Sequence, residues 1–182
     1  MRIVVSGTHA SGKSTLLADL AARHPEYRIL PDPFEEMRDD AVSELDADLF
    51  ERQLRISAKR LTALPNDGED GVVLAERGPI DFLAYLLALD RLRRPGRSAG
   101  DLGAAIEWTR AAAAHIDVLV VLPIDDGIRV DDEEDPELRD EADQMLRELA
   151  EDGDLSGART IEVSGTPEAR LAQLEEVIRG GG

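Results

Sequence analysis

Five short apolar runs, at residues 3–5, 27–30, 72–75, 118–122 and 160–163, punctuate the chain. Each is rich in β-branched residues or flanked by turn formers, and stretches with helical spacing separate them. The pattern predicts five strands alternating with helices. Runs without polar alternation suit strands covered on both faces, so a parallel sheet between two helical layers is the expected architecture. Leu45, Leu49, Ile56 and Leu64 mark one face of a long helix before the third run, and Gln53 and Arg60 interrupt that face. Further helices are predicted over 79–92 and 102–114, and the first run is followed by one over 15–22. Leu138, Ala142, Met145 and Leu149 repeat at helical spacing with acids between them. Thr166 and Pro167 supply an N-cap and a first helical position for a last helix. Residues 65–70 and 93–100 are turn-rich, and 180–182 should fray.

Composition narrows this picture. A chain of 182 residues without a proline- or serine-rich linker is expected to be one domain, 1–182. No stretch is long and apolar enough for a membrane helix, and the first strand begins at once, so a cytoplasmic location without a membrane partner is expected. There are no cysteines, and His9, His24 and His115 are scattered, which excludes disulfides and zinc-type spacing. The net charge is −18, of which residues 125–154 carry −12. Such a surface repels phosphate backbones, so nucleic acid is not an expected partner. Lysine occurs twice against nineteen arginines, which fits either genome bias or a high-salt habitat.

Gly7-Thr8-His9-Ala10-Ser11-Gly12-Lys13-Ser14 lies between the first strand and the first helix, and Thr15 continues it. Strand, glycine-rich loop and helix together form a P-loop in its required context. The glycines let backbone N–H groups converge on phosphate oxygens, Lys13 reaches the β- and γ-phosphates, and the Ser14 hydroxyl is placed for Mg²⁺. ATP or GTP is the expected ligand, and Mg²⁺ the one expected metal.

After the second strand comes Leu30-Pro31-Asp32-Pro33-Phe34-Glu35-Glu36, and after the third comes Glu76-Arg77-Gly78-Pro79-Ile80-Asp81-Phe82-Leu83-Ala84-Tyr85. Both segments resemble deoxynucleoside kinases and their thymidylate-kinase-like relatives. The wording from Gly78 to Tyr85 is also similar to small bacterial ATP-binding proteins akin to the nicotinamide ribosyl kinase domain. The resemblance implies a three-layer α/β/α P-loop kinase fold with a five-stranded parallel sheet and a helical lid, the lid falling at 124–137.

It also implies roles for particular residues. Asp32 stands where these kinases place the base for the acceptor hydroxyl, although glutamate is more frequent there and Glu35 or Glu36 can substitute. The same residue would also serve as an ordinary helix N-cap. Glu76 is placed to hold Mg²⁺ with Ser14, and Arg77 to contact the acceptor or the transferring phosphoryl group. A structural Glu-Arg pair is the alternative. Gln53 and Arg60 resemble a base-reading pair, with Asp81 as a substrate-reading carboxylate and partner of Arg60; a solvated polar helix face explains the first two as well. Arg129 is the first lid arginine and Arg139 the second, although the surrounding acids depart from an arginine-rich lid. Gly165 and Thr166 follow the fifth strand where related folds pack adenine.

These readings combine into an expected Mg·ATP-dependent phosphotransferase acting on a small molecule of nucleoside or nucleotide type, with a homodimer left open. Another small alcohol as acceptor, or a nucleotide-dependent switch acting on a protein partner, are the alternatives. No Asn-Lys-x-Asp motif for reading guanine occurs.

Overall fold

The computed structural model describes residues 1–37, 47–64, 71–94, 99–124, 135–157 and 159–181. Five strands, β1 (Arg2–Ser6), β2 (Arg28–Leu30), β3 (Val73–Glu76), β4 (Val118–Val121) and β5 (Thr160–Glu162), form one sheet in the order β2-β3-β1-β4-β5. Every pairing is parallel, with Val4 beside Ala75 on one side and Leu119 on the other. The helices are α1 (Lys13–Arg23), α2 (Ala47–Thr62), α3 (Pro79–Arg91), α4 (Ala99–Ala113), α5 (Pro136–Ala150), the short α6 (Gly153–Ser156) and α7 (Pro167–Gly180).

The strand side chains alternate between two cores, as a pleated sheet requires. Ile3, Val5, Val118 and Val120 face α1 and α7, where they meet Leu16, Leu20, Leu171 and Leu174. Val4, Ala75, Leu119 and Val121 face α2 to α6, among them Leu54, Leu61, Phe82, Leu86 and Leu146. The three-layer α/β/α architecture expected from the sequence is therefore present. Among the described residues, no helix is long and apolar enough to cross a membrane.

Two local expectations need correction. The buried stripe of α2 runs through Phe50, Leu54, Ala58 and Leu61. Of the expected face, Leu49 is buried on the helix and Leu64 is buried just beyond its end, Ile56 is only half-buried, and Leu45 lies outside the described residues. The helix that Asp32 would cap is a 3₁₀ turn, Pro33–Met37, and not an α-helix. Because all strands are parallel, their carboxyl ends share one edge, and β1 leads into the crevice where the chain order switches from β3 to β4. The P-loop follows β1, Asp32 follows β2, Glu76 ends β3, and Gly165 follows β5.

Candidate active site

The loop from Gly7 to Gly12 is shaped by close packing. A Cβ at Gly7 would lie 2.6 Å from Ser11 Oγ and 2.7 Å from the Leu122 carbonyl, so only glycine fits there. Gly12, with φ 90°, turns the chain into α1, whose N-terminus favours anions. Inside the loop, Lys13 Nζ donates to the Thr8 carbonyl at 2.7 Å and to Ser11 Oγ at 3.2 Å. Burial, with the Arg77 charge second, lowers the Lys13 ammonium to about 7, against the pull of Asp81, Glu76 and Asp32. The buried Thr8 Oγ1 has no hydrogen-bond partner among the described residues.

Ser14 Oγ donates to Glu76 Oε1 at 2.6 Å, which joins the start of α1 to the end of β3. Among the described residues, no group of three or more His, Cys, Asp or Glu side chains is arranged to hold a metal ion. A hydroxyl and one carboxylate beside a phosphate loop match the sparse protein ligation that Mg²⁺ accepts when phosphate and water complete its shell. The two residues fit that ion.

A cleft of about 1150 Å³ runs from the P-loop to a second half bounded by Asp32, Phe34, Phe50, Gln53, Arg77 and Tyr85. Asp32 uses its two oxygens differently: Oδ1 accepts the Phe34 N–H at 2.9 Å, while Oδ2 lies 3.1 Å from Arg77 Nε. The first contact is a turn cap. The second is an ion pair without the alignment of a hydrogen bond, since Nε has no hydrogen-bonded partner among the described residues. Arg77 is buried in a left-handed backbone conformation, φ 63°, and its guanidinium lies over the rings of Tyr85 and Phe82. Burial opposes its charge, but Tyr85, Asp32, Asp81 and Glu76 outweigh that and hold its pKa above the usual value. Gln53 is buried on the cleft wall, and its Oε1 lacks a partner among the described residues. Phe50 stacks on Tyr85 with ring centroids 4.6 Å apart.

Other expected site residues go elsewhere. Asp81 does not line the cleft: Oδ2 accepts from Ser6 Oγ at 2.6 Å and from the Gly78 N–H at 2.8 Å, and Oδ1 from the Gly7 N–H at 2.9 Å. Its substrate-reading role is thereby corrected to a buried brace between the P-loop and the start of α3, where it sits as the acid of a capping box. Burial raises its pKa against Arg77, Ser6 and Gly7. Arg60 does not meet Asp81 either. It donates to the Pro31 carbonyl at 2.6 Å and pairs with exposed Glu36, outside the cleft, because its side chain extends past the end of β2.

Glu35 lines the cleft, as do Gly165 and Thr166, and Thr166 Oγ1 caps α7 by accepting the Ala169 N–H. Arg129 and most of the 124–137 lid lie outside the described residues. Arg139 lies within them: Nε donates to the His9 carbonyl at 3.0 Å, and buried Nη2 has no bonded partner among the described residues. Sequence reasoning missed Arg170, whose Nε donates to the Gly165 carbonyl and whose Nη1 donates to the Ser11 carbonyl, both at 2.8 Å. It fixes α7 to the phosphate loop. The available signal was its place in the apolar stripe of Leu171, Leu174 and Val177, where an arginine is buried only with partners.

No curated protein sequence matches this chain. Among solved structures, deoxyadenosine kinase from M. mycoides with the products dCMP and dCDP is similar at TM-score 0.70 and 14% identity, over 99% of this chain and 100% of that one. The same enzyme with bound dATP gives 0.66 and 13%, over 98% and 100%. Thymidylate kinase from Candida albicans gives 0.64 and 17%, over 98% and 91%. These likenesses show a shared fold. A family model described as an AAA domain matches residues 2–170. With that match covering nearly the whole chain, the chain belongs to this AAA domain family, and its fold is the one it shares with those kinases.

Proposed function

We propose that the protein is a Mg·ATP-dependent phosphotransferase of 1–182 as one cytoplasmic domain, and that its acceptor is a small nucleoside or nucleotide. One observation carries this reading: one cleft joins the phosphate loop, with Lys13 and the Ser14–Glu76 pair, to a walled second half that holds a carboxylate, an arginine and an amide oxygen without a partner among the described residues. A switch needs the first half only. The second half is what an acceptor requires.

In this reading the residues divide the work by position and charge. Backbone N–H groups of the loop and the α1 terminus receive the donor phosphates, and Lys13 gains a phosphate partner for its buried ammonium. Bound Mg²⁺, held by Ser14 and through Glu76, would supply positive charge at the phosphate oxygens. Asp32 Oδ2, 3.1 Å from Arg77 Nε, takes the proton of the acceptor hydroxyl as that oxygen bonds to the γ-phosphorus and the bond to ADP breaks. Arg77, just after β3, and Arg139, on α5, both line the cleft and supply positive charge to the transferring group. Gln53 Oε1 accepts from an N–H or O–H of the acceptor, and Gly165 and Thr166 border the donor base.

The test is ADP release from Mg·ATP with and without a panel of nucleosides, mononucleotides and nicotinamide riboside. A phosphotransferase releases ADP in proportion to added acceptor. A switch or accessory ATPase hydrolyses slowly whatever is added, and that result would overturn the proposal.

A further inference from the structure

His9 is held through its backbone by two helices, α3 and α5. Its N–H donates to the Tyr85 hydroxyl of α3 at 3.1 Å, and its carbonyl accepts from Arg139 Nε of α5 at 3.0 Å. The next residue, Ala10, has φ 54°, a left-handed conformation that alanine rarely adopts. Such a conformation persists where surrounding contacts over-determine it. The two bonds to His9 are contacts of that kind, one residue away.

Tyr85 belongs to both halves of the cleft. Its ring stacks on Phe50 at an interplanar angle of 12° and lies 5.7 Å from the Arg77 guanidinium, both on the acceptor wall. Its hydroxyl reaches the phosphate loop. One helical turn earlier on the same face of α3, Asp81 holds the Gly7 N–H, so a single rigid helix grips the loop at Gly7 and again at His9. Any movement of the Tyr85 ring therefore acts on His9 while the start of the loop stays fixed.

From this geometry we infer that Tyr85 is a positioning residue that couples acceptor occupancy to the phosphate loop. An acceptor packed against the Phe50–Tyr85 wall fixes the hydroxyl that holds His9, and so favours the phosphate-binding shape of the loop at Ala10. Linkage makes the effect reciprocal: bound nucleotide tightens acceptor binding by the same factor. The inference rests on the phosphotransferase reading, which assigns the two halves of the cleft to donor and acceptor.

Calorimetric titration of Mg·ADP into the full chain, alone and with saturating deoxyadenosine, deoxycytidine or thymidine, measures the coupling. In the wild type a nucleoside that is phosphorylated should tighten Mg·ADP about 5-fold or more. Tyr85→Phe keeps the stacked ring and removes the hydroxyl, and should reduce the factor below about 2-fold with little change in melting temperature. Phe50→Leu keeps the hydroxyl and removes the stack, and should also lower the factor, which a loop contact of purely structural value would not do. Equal coupling in wild type and Tyr85→Phe, or no coupling in a wild type that phosphorylates a nucleoside, overturns the inference alone. A wild type that binds Mg·ADP but phosphorylates nothing overturns the phosphotransferase reading and this inference with it.

Discussion

Lys13→Met should stabilise the nucleotide-free protein while abolishing phosphoryl transfer. The ammonium is buried inside the loop, and that burial, with the Arg77 charge second, brings it from 10.5 to about 7. At ~1.4 kcal/mol per pH unit, keeping the folded form charged costs about 5 kcal/mol at low pH. The folded value lies below the unfolded one, so between about 7 and 10.5 the unfolded chain carries the extra proton, and wild-type stability rises with pH across that window. The deficit is about 4 kcal/mol at pH 7 and about 2 kcal/mol at pH 9. The bonds from Nζ to Thr8 and Ser11 return about 2 kcal/mol. The net gain on substitution is therefore about 2 kcal/mol at pH 7, or about 4–8 °C in a domain of this size, and it vanishes near pH 9. Thermal melts of both proteins in chelator without nucleotide, from pH 6.5 to 9, give the comparison. A variant less stable than wild type at pH 7, or a gap that does not change with pH, would refute the reasoning. Adding Mg·ATP should reverse the order, since the wild type alone gains a phosphate partner for the charge.

Asp32→Asn is expected to retain Mg·ATP affinity and lose roughly 10²-fold in kcat, because the amide keeps the Phe34 cap and loses the proton acceptor; loss of stability with kcat unchanged would assign Asp32 to capping and move the base to Glu35. Asp81→Asn leaves one of the Ser6, Gly7 and Gly78 donors facing an amide N–H, and should lower stability by about 2–3 kcal/mol and raise the KM for ATP; an unchanged melting temperature would contradict the brace. Arg139→Ala should lower kcat more than it raises the KM for ATP, since a charge aimed at the transferring group acts mainly in the transition state; equal changes in both would return Arg139 to loop support alone.

The sheet was legible because the five apolar runs have no rival reading once helices lie between them. The phosphate loop was equally legible, since its chemistry is local and Lys13, Ser14 and the glycines lie within eight residues. The second half of the cleft was less so. On α2 two apolar stripes overlap, and only packing of α2 against α3 and α4 selects the one through Phe50, Leu54 and Leu61. Spacing put Gln53 and Arg60 on one helix face, but almost two turns carry Arg60 beyond the cleft to Pro31 and Glu36. Asp81 lies three residues after Gly78, a capping position visible in the sequence that competes with any substrate role. Arg170 reaches the loop from 159 residues away, a contact that no local pattern encodes.

The central claim is that the γ-phosphoryl group passes directly to a small acceptor within the cleft. It is tested most directly by incubating the protein with Mg²⁺ and ATP carrying an ¹⁸O-labelled γ-phosphoryl group in the presence of each nucleoside and mononucleotide, then weighing all products by mass spectrometry. The account predicts the label in a phosphorylated acceptor, matched one for one by ADP and absent in Lys13→Met. Label recovered only in inorganic phosphate, at a rate indifferent to the acceptor, would contradict it.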